Sequence, residues 1–95
     1  MKSKYLYKKH GISVFISVEP ALIIKTNLLM FKVTVVQNNY YHVERYSRLT
    51  KRLEMQHTIH CKQDVVNIIR KLNLPITIYM LEKLDAHTLM KTLLR

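Results

Sequence analysis

The chain has little of what small folds use as staples and punctuation. Cysteine occurs once, at Cys61, so no intrachain disulfide can form and a reducing compartment is expected. One glycine and two prolines leave few places where the backbone must break. Acids are scarce: six Asp and Glu stand against sixteen Lys and Arg, a formal net charge of +10. A field of that sign calls for acidic partners, and nucleic acid, an anionic membrane surface and an acidic peptide segment all meet the requirement. No apolar run reaches the roughly 18 to 20 residues of a membrane span, because Glu19, Pro20, Lys25, Asn27 and Lys32 interrupt the stretch that begins at Ile12. The basic start (Lys2, Lys4, Lys8, Lys9) before Ile12 to Val18 has the outline of a signal peptide but no clean small-residue cleavage site follows. Neither secretion nor a membrane partner is expected.

What is present suits one domain. At 95 residues, 48% apolar and 23% charged, the chain can fold around a single modest core, without repeats or low-complexity tracts. Between Ile12 and Val36 the apolar residues alternate or run together, as in Ile12, Val14, Ile16 and Val18 and again in Phe31, Val33 and Val35, with many β-branched side chains. That is strand grammar, with Glu19-Pro20 and Lys25-Thr26-Asn27 as connectors, although two strands alone are marginal in water.

From Tyr41 the spacing reads as helical: Val43, Tyr46, Leu49 and Leu53 recur every three or four residues, predicting an amphipathic helix that ends near Met55. After a polar connector, Asp64 suits a helix N-terminus, and the next helix buries Val65, Ile68, Ile69 and Leu72. Arg70 and Lys71 complement its carbonyl end, and Pro75 stops it. Pro75 also suits the first position of a third helix carrying Ile78, Leu81 and Leu84, and a fourth runs from Ala86 or Thr88 with Leu89, Met90, Leu93 and Leu94. The expectation is a mainly α fold: about four short helices over 41–95, preceded by a β-like or poorly ordered extension over 1–40.

The string from Val65 to Leu81, with Leu74-Pro75-Ile76-Thr77 at its centre and Leu81 four residues on, resembles the N-terminal domain of transcription elongation factor S-II, shared with elongin A and a Mediator subunit. Ala86, Met90, Leu93 and Arg95 continue the family's apolar and basic pattern without a gap. Asp85 and His87 stand where it has or favours glycine, Leu94 stands where it has arginine, and its last helix with a tryptophan has no counterpart here. The resemblance, strongest to the elongin A type, implies an incomplete helical scaffold in the nucleus. Such a scaffold has no catalytic centre or cofactor and docks acidic-hydrophobic motifs of elongation or Mediator proteins associated with RNA polymerase II. Lys71, Lys83, Lys91 and Arg95 would form the basic rim of that docking groove, with Leu74, Pro75, Ile76, Thr77 and Leu81 as scaffold and Thr77 bracing the turn.

The residues also suggest other chemistries. His57, His60 and Cys61 are soft ligands at a chelating spacing, but no fourth ligand is evident, and no metal site is assigned. Cys61 lacks a nameable orienting acid or pocket, so no catalysis is assigned either. The alternative function is nucleic-acid binding: Arg45, Arg48, Lys51 and Arg52, beside Tyr40, Tyr41 and Tyr46, have the composition of a phosphate-contacting surface with stacking aromatics.

Overall fold

The computed structural model describes residues 4–37 and 40–93. Six strands come first: β1 (Lys4–Lys9), β2 (Ile12–Ile16), β3 (Leu22–Lys25), β4 (Leu29–Gln37), β5 (Tyr40–Ser47) and β6 (Leu53–Ile59). Two helices follow, α1 (Lys62–Arg70) and α2 (Ile78–Leu93). The strands form one antiparallel sheet in chain order, a meander in which every strand pairs with its sequence neighbours. The architecture is mainly β, with a helical layer on one face.

The turns explain why the strands reverse where they do. His10 and Gly11 both have positive φ (52° and 75°), as a two-residue hairpin with a primed turn requires, and Lys9 pairs directly with Ile12 across it. The Thr26 hydroxyl accepts from the Leu28 and Leu29 N–H groups at 3.2 and 3.0 Å, closing the β3–β4 turn without a glycine. In the β5–β6 turn, Ser47 accepts from the Lys51 N–H at 2.9 Å through its carbonyl and from the Thr50 N–H at 3.2 Å through its hydroxyl.

Strand alternation then sorts the side chains onto two faces. Ile16, Leu22, Val33 and Val43 lie opposite one another across successive strands, as do Val14, Ile24 and Phe31, and all seven are buried. The helices cover this face, α1 over β5 and β6 and α2 over β3 and β4, contributing Val65, Val66, Ile69, Met80, Leu81 and Leu84 to the same core. A six-stranded sheet cannot bury a face by itself, and two amphipathic helices supply the missing layer.

These observations overturn the mainly α expectation. The segment read as a first helix, Tyr41 to Met55, is β5, a turn and the start of β6. Its helical spacing leaned on Leu49 and Leu53, which are 85% and 42% exposed and belong to no core. The period that governs is two: Tyr41 and Val43 face the helices while His42, Glu44 and Tyr46 face away, in a stretch rich in β-favouring residues. The expected third and fourth helices are one continuous α2, since nothing between Leu84 and Thr88 breaks it. The separation into a 1–40 extension and a 41–95 helical unit dissolves likewise, because β4 and β5 are neighbours in one sheet and the core draws on both segments.

Candidate functional site

The face of the sheet turned away from the helices carries the most unusual surface. In register across it run Tyr5, Phe15, Ile23, Lys32, Glu44 and Gln56, and beside them Lys8, Ser13, Lys25, Met30, Tyr46 and Leu53. Ile23 within these rows is buried and Lys32 borders a hollow shared with Thr88, Lys91 and Thr92 of α2, and the rows include three aromatic rings. Tyr5 and Phe15 pair with ring centroids 5.3 Å apart at 58°, the tilted geometry that favours edge against face. The Lys8 Nζ lies 4.7 Å from the Tyr5 ring centre and the Lys25 Nζ 5.5 Å from that of Phe15, so each ring carries an ammonium group over its face. Tyr46 stands across the sheet with its hydroxyl donating to Glu44 Oε2 at 2.8 Å, and that bond raises the phenol pKa. Glu44 also faces His42 Nε2 at 3.8 Å and lies opposite Lys32 in register, so the one carboxylate in these two rows is surrounded by partners. The result is a lane of rings and cations.

The cations expected on one helix face are dispersed. Arg45 points to the helix side of β5, where its Nε stands 3.4 Å from Glu54 Oε1 in an ion pair without hydrogen-bond alignment. Arg48, Lys51 and Arg52 are exposed in the β5–β6 turn. There the Arg48 guanidinium donates to the Thr26 carbonyl, and Lys25, Met30, Tyr46, Ser47, Arg48 and Lys51 line a hollow at the end of the open face. Two of the four residues, Arg48 and Lys51, therefore meet the lane at its edge, while Arg52 does not line that hollow and Arg45 points to the other face.

The residues of the suspected docking motif serve the core. Leu74, Ile76 and Leu81 are buried, and Pro75 is half-buried in the connector rather than at a helix start. The Thr77 hydroxyl accepts from the Met80 N–H at 3.3 Å and so caps α2. Lys71 is exposed at the end of α1, Lys83 lies 5.4 Å over the Tyr79 ring, and Lys91 Nζ reaches the Val18 carbonyl at 3.5 Å. Arg95 lies outside the described residues. Val65, Val66, Ile69, Met80, Leu81 and Leu84 of the two helices pack into the core with the sheet, while Tyr79, Leu89, Met90 and Leu93 of α2 stay exposed.

A second cluster lies at the helix side, with Tyr41 buried and Lys62 and Asp85 half-buried. Tyr41 donates to Asp85 at 2.8 and 3.0 Å, and Lys62 Nζ meets Asp85 Oδ2 at 3.1 Å. Burial, then the hydrogen bond to Asp85, pushes the Tyr41 phenol up to about 12, while the same carboxylate raises Lys62. Asp85 is thus occupied by two donors from β5 and α1, and the group works as a clamp across three elements. His57, His60 and Cys61 do not converge: His60 lies against Tyr40 with centroids 3.9 Å apart and the rings tilted by 52°, and Cys61 is exposed before α1. No set of three or more His, Cys, Asp or Glu capable of holding a metal ion occurs among the described residues.

Tyr5, Phe15, Lys8, Lys25 and Lys32 were missed as site residues. Their signal was parity: if Val14 and Ile16 face the core, Phe15 must face away, and only the register adds Tyr5 beside it. Neither a scan against protein-family models nor searches of curated proteins and of solved structures found a match to this chain.

Proposed function

We propose that the chain is a non-enzymatic nucleic-acid-binding module that takes single-stranded nucleic acid on the open face of its sheet. The observation that carries this reading is the Tyr5–Phe15 pair, Tyr5 exposed and Phe15 half-buried, with a lysine over each ring. An aromatic ring binds a base by stacking, which requires a base not already stacked inside a duplex. Neighbouring lysines then neutralise the phosphates that the unstacked strand brings with it. Lys32, Arg48 and Lys51 continue the positive track, and the net charge of +10 supplies long-range attraction. This moves the nucleic-acid reading from a basic helix to a sheet.

Fluorescence anisotropy with labelled single-stranded and duplex oligonucleotides of the same sequence tests it. Tighter binding of the single strand is expected, with a loss of roughly 5- to 100-fold on Tyr5→Ala, the equivalent of one stacked base. Equal binding of duplex and single strand, unmoved by Tyr5→Ala, would leave only unspecific charge.

A second reading keeps the docking of acidic-hydrophobic motifs from nuclear transcription regulators, at another place. Tyr79, Leu89, Met90 and Leu93 are exposed along α2, with Lys83 and Lys91 on the same helix. Capture of such a motif peptide, abolished by Leu89→Asp with unchanged melting, would favour it.

A further inference from the structure

We infer that the end of the sheet bearing the β1–β2, β3–β4 and β5–β6 turns docks on an anionic lipid bilayer, with Leu28 and Leu49 entering the interfacial layer and the surrounding cations meeting the headgroups. In a meander these three turns lie at the same end, and local bonds join them into one surface. The Arg48 N–H donates to the Leu28 carbonyl at 2.9 Å and the Arg48 guanidinium to the Thr26 carbonyl, fixing the β5–β6 turn against the β3–β4 turn. Gly11 of the β1–β2 turn lies against the Asn27 side chain, which a Cβ at that glycine would approach within 3.6 Å.

The chemistry of this end is amphipathic in a way that a merely solvated turn is not. Leu28 is 69% exposed and Leu49 85%, and with Asn27, Arg48 and Lys51 they line one shallow notch. Around them stand Lys8, Lys9, Lys25, Arg48, Lys51 and Arg52, while none of the three turns contains a carboxylate. The carboxylates nearest in the strands are already paired, Glu44 with Tyr46 and Glu54 with Arg45. Lys51 is held at φ 65°, a backbone conformation costly for any residue with a Cβ, in a turn that glycine would fill without strain. Phosphate oxygens of a nucleic acid would satisfy the cations but give two protruding leucines nothing. The interface of an anionic bilayer satisfies both, through roughly fivefold in affinity per cation near the surface and roughly tenfold or more per leucine buried. The expectation of no membrane partner rested on the lack of a spanning segment. None of the described helices is long and apolar enough to cross a membrane, but docking by turn tips needs no span.

Lys8, Lys25, Arg48 and Lys51 border both this end and the aromatic lane, so the test must separate the two surfaces. The full chain is sedimented with large unilamellar vesicles of phosphatidylcholine alone and of phosphatidylcholine with phosphatidylserine, alongside the double variant Leu28→Ser/Leu49→Ser and the variant Tyr5→Ala. Oligonucleotide affinity and melting temperature are recorded for all three. Both leucines are exposed, so the double variant is expected to melt as the wild type does. Expected are binding to the phosphatidylserine vesicles only, a loss of tenfold or more in the leucine variant with its oligonucleotide affinity unchanged, and vesicle binding retained by Tyr5→Ala. Failure to sediment with phosphatidylserine vesicles overturns the inference. So does a leucine variant that binds them as the wild type does, or one that loses oligonucleotide and vesicle affinity together, which would make the tips part of a nucleic-acid surface. A Tyr5→Ala variant with normal oligonucleotide affinity would sink the sheet-face reading and leave the lipid inference standing.

Discussion

Asp85 shows how much of this fold depends on single side chains meeting across long stretches of sequence. It stands 44 positions from Tyr41, and it accepts from that phenol and from the Lys62 ammonium, joining β5, α1 and α2. No spacing rule could have paired these residues, and sequence reading saw Asp85 only as a departure from a family glycine. Removing the phenol with Tyr41→Phe should destabilise by about 1.5–3 kcal/mol, the range for a hydrogen bond to a charged group, measured as a lower urea midpoint with an unchanged slope. The pH dependence follows from the sign of the shift. Because the folded-state phenol titrates near 12 rather than near its ordinary 10, its contribution is complete below pH 10 and is lost as pH rises through 12. Lys62, also raised by the hydrogen bond to Asp85, acts in the same direction. Urea midpoints across pH 9 to 12 should therefore fall more steeply for the wild type than for Tyr41→Phe; parallel curves would show that the clamp is not the titrating element. Thr77 is a simpler case: Thr77→Ala should cost about 1 kcal/mol through loss of the cap on α2, read from the same urea curves.

At the scale of elements, what could be read depended on whether period and punctuation agreed. The helix carrying Val65, Ile68, Ile69 and Leu72 was legible because apolar spacing, an early Asp64 and a later Pro75 pointed the same way; α1 spans Lys62–Arg70, so Leu72 falls in the turn beyond it and is exposed rather than buried. The strand grammar between Ile12 and Val36 corresponds to β2, β3 and β4, where alternation, β-branched residues and turn residues coincide. The stretch over β5 and β6 misled because two periods were superimposed. Val43, Tyr46, Leu49 and Leu53 match a helix, while Tyr41, Val43 and Ile59 match strands, and only burial separates the sets. The turn between them gave no warning, since it is built on Ser47 and on Lys51 in a left-handed conformation instead of on glycine or proline. Lys51→Gly is accordingly expected to leave the fold intact and raise stability by up to about 1 kcal/mol, because relief of the Cβ clash outweighs the added freedom of the unfolded chain. A loss of stability on that substitution would place the turn differently. In α2, Leu81 has no exposure to solvent, and Leu81→Asp should cost about 3–5 kcal/mol by burying an unpaired charge; an unchanged melting curve would contradict the packing of that helix.

For the molecule as a whole, charge was legible and its placement was not. The sixteen basic residues against six acids were plain in the sequence, as was the demand for acidic partners. Which cations share a surface depends on sheet register, which brings Lys8, Lys25 and Lys32 from three strands to one face beside Tyr5 and Phe15, and leaves Arg45 on the other. A two-layer fold with helices on one side only leaves the other sheet face to carry side chains of its own, here Tyr5 and Phe15 beside Lys8 and Lys25. The measurement that bears most directly on this reading is oligonucleotide affinity across a salt series for the wild type and Tyr5→Ala. Stacking and charge make different contributions: the wild type should lose affinity steeply with salt, and Tyr5→Ala should bind single strands about 5- to 100-fold more weakly at every salt with the same slope. Coincident curves for the two proteins would mean that the Tyr5 ring takes no base, and the sheet face would lose its claim to be the binding site.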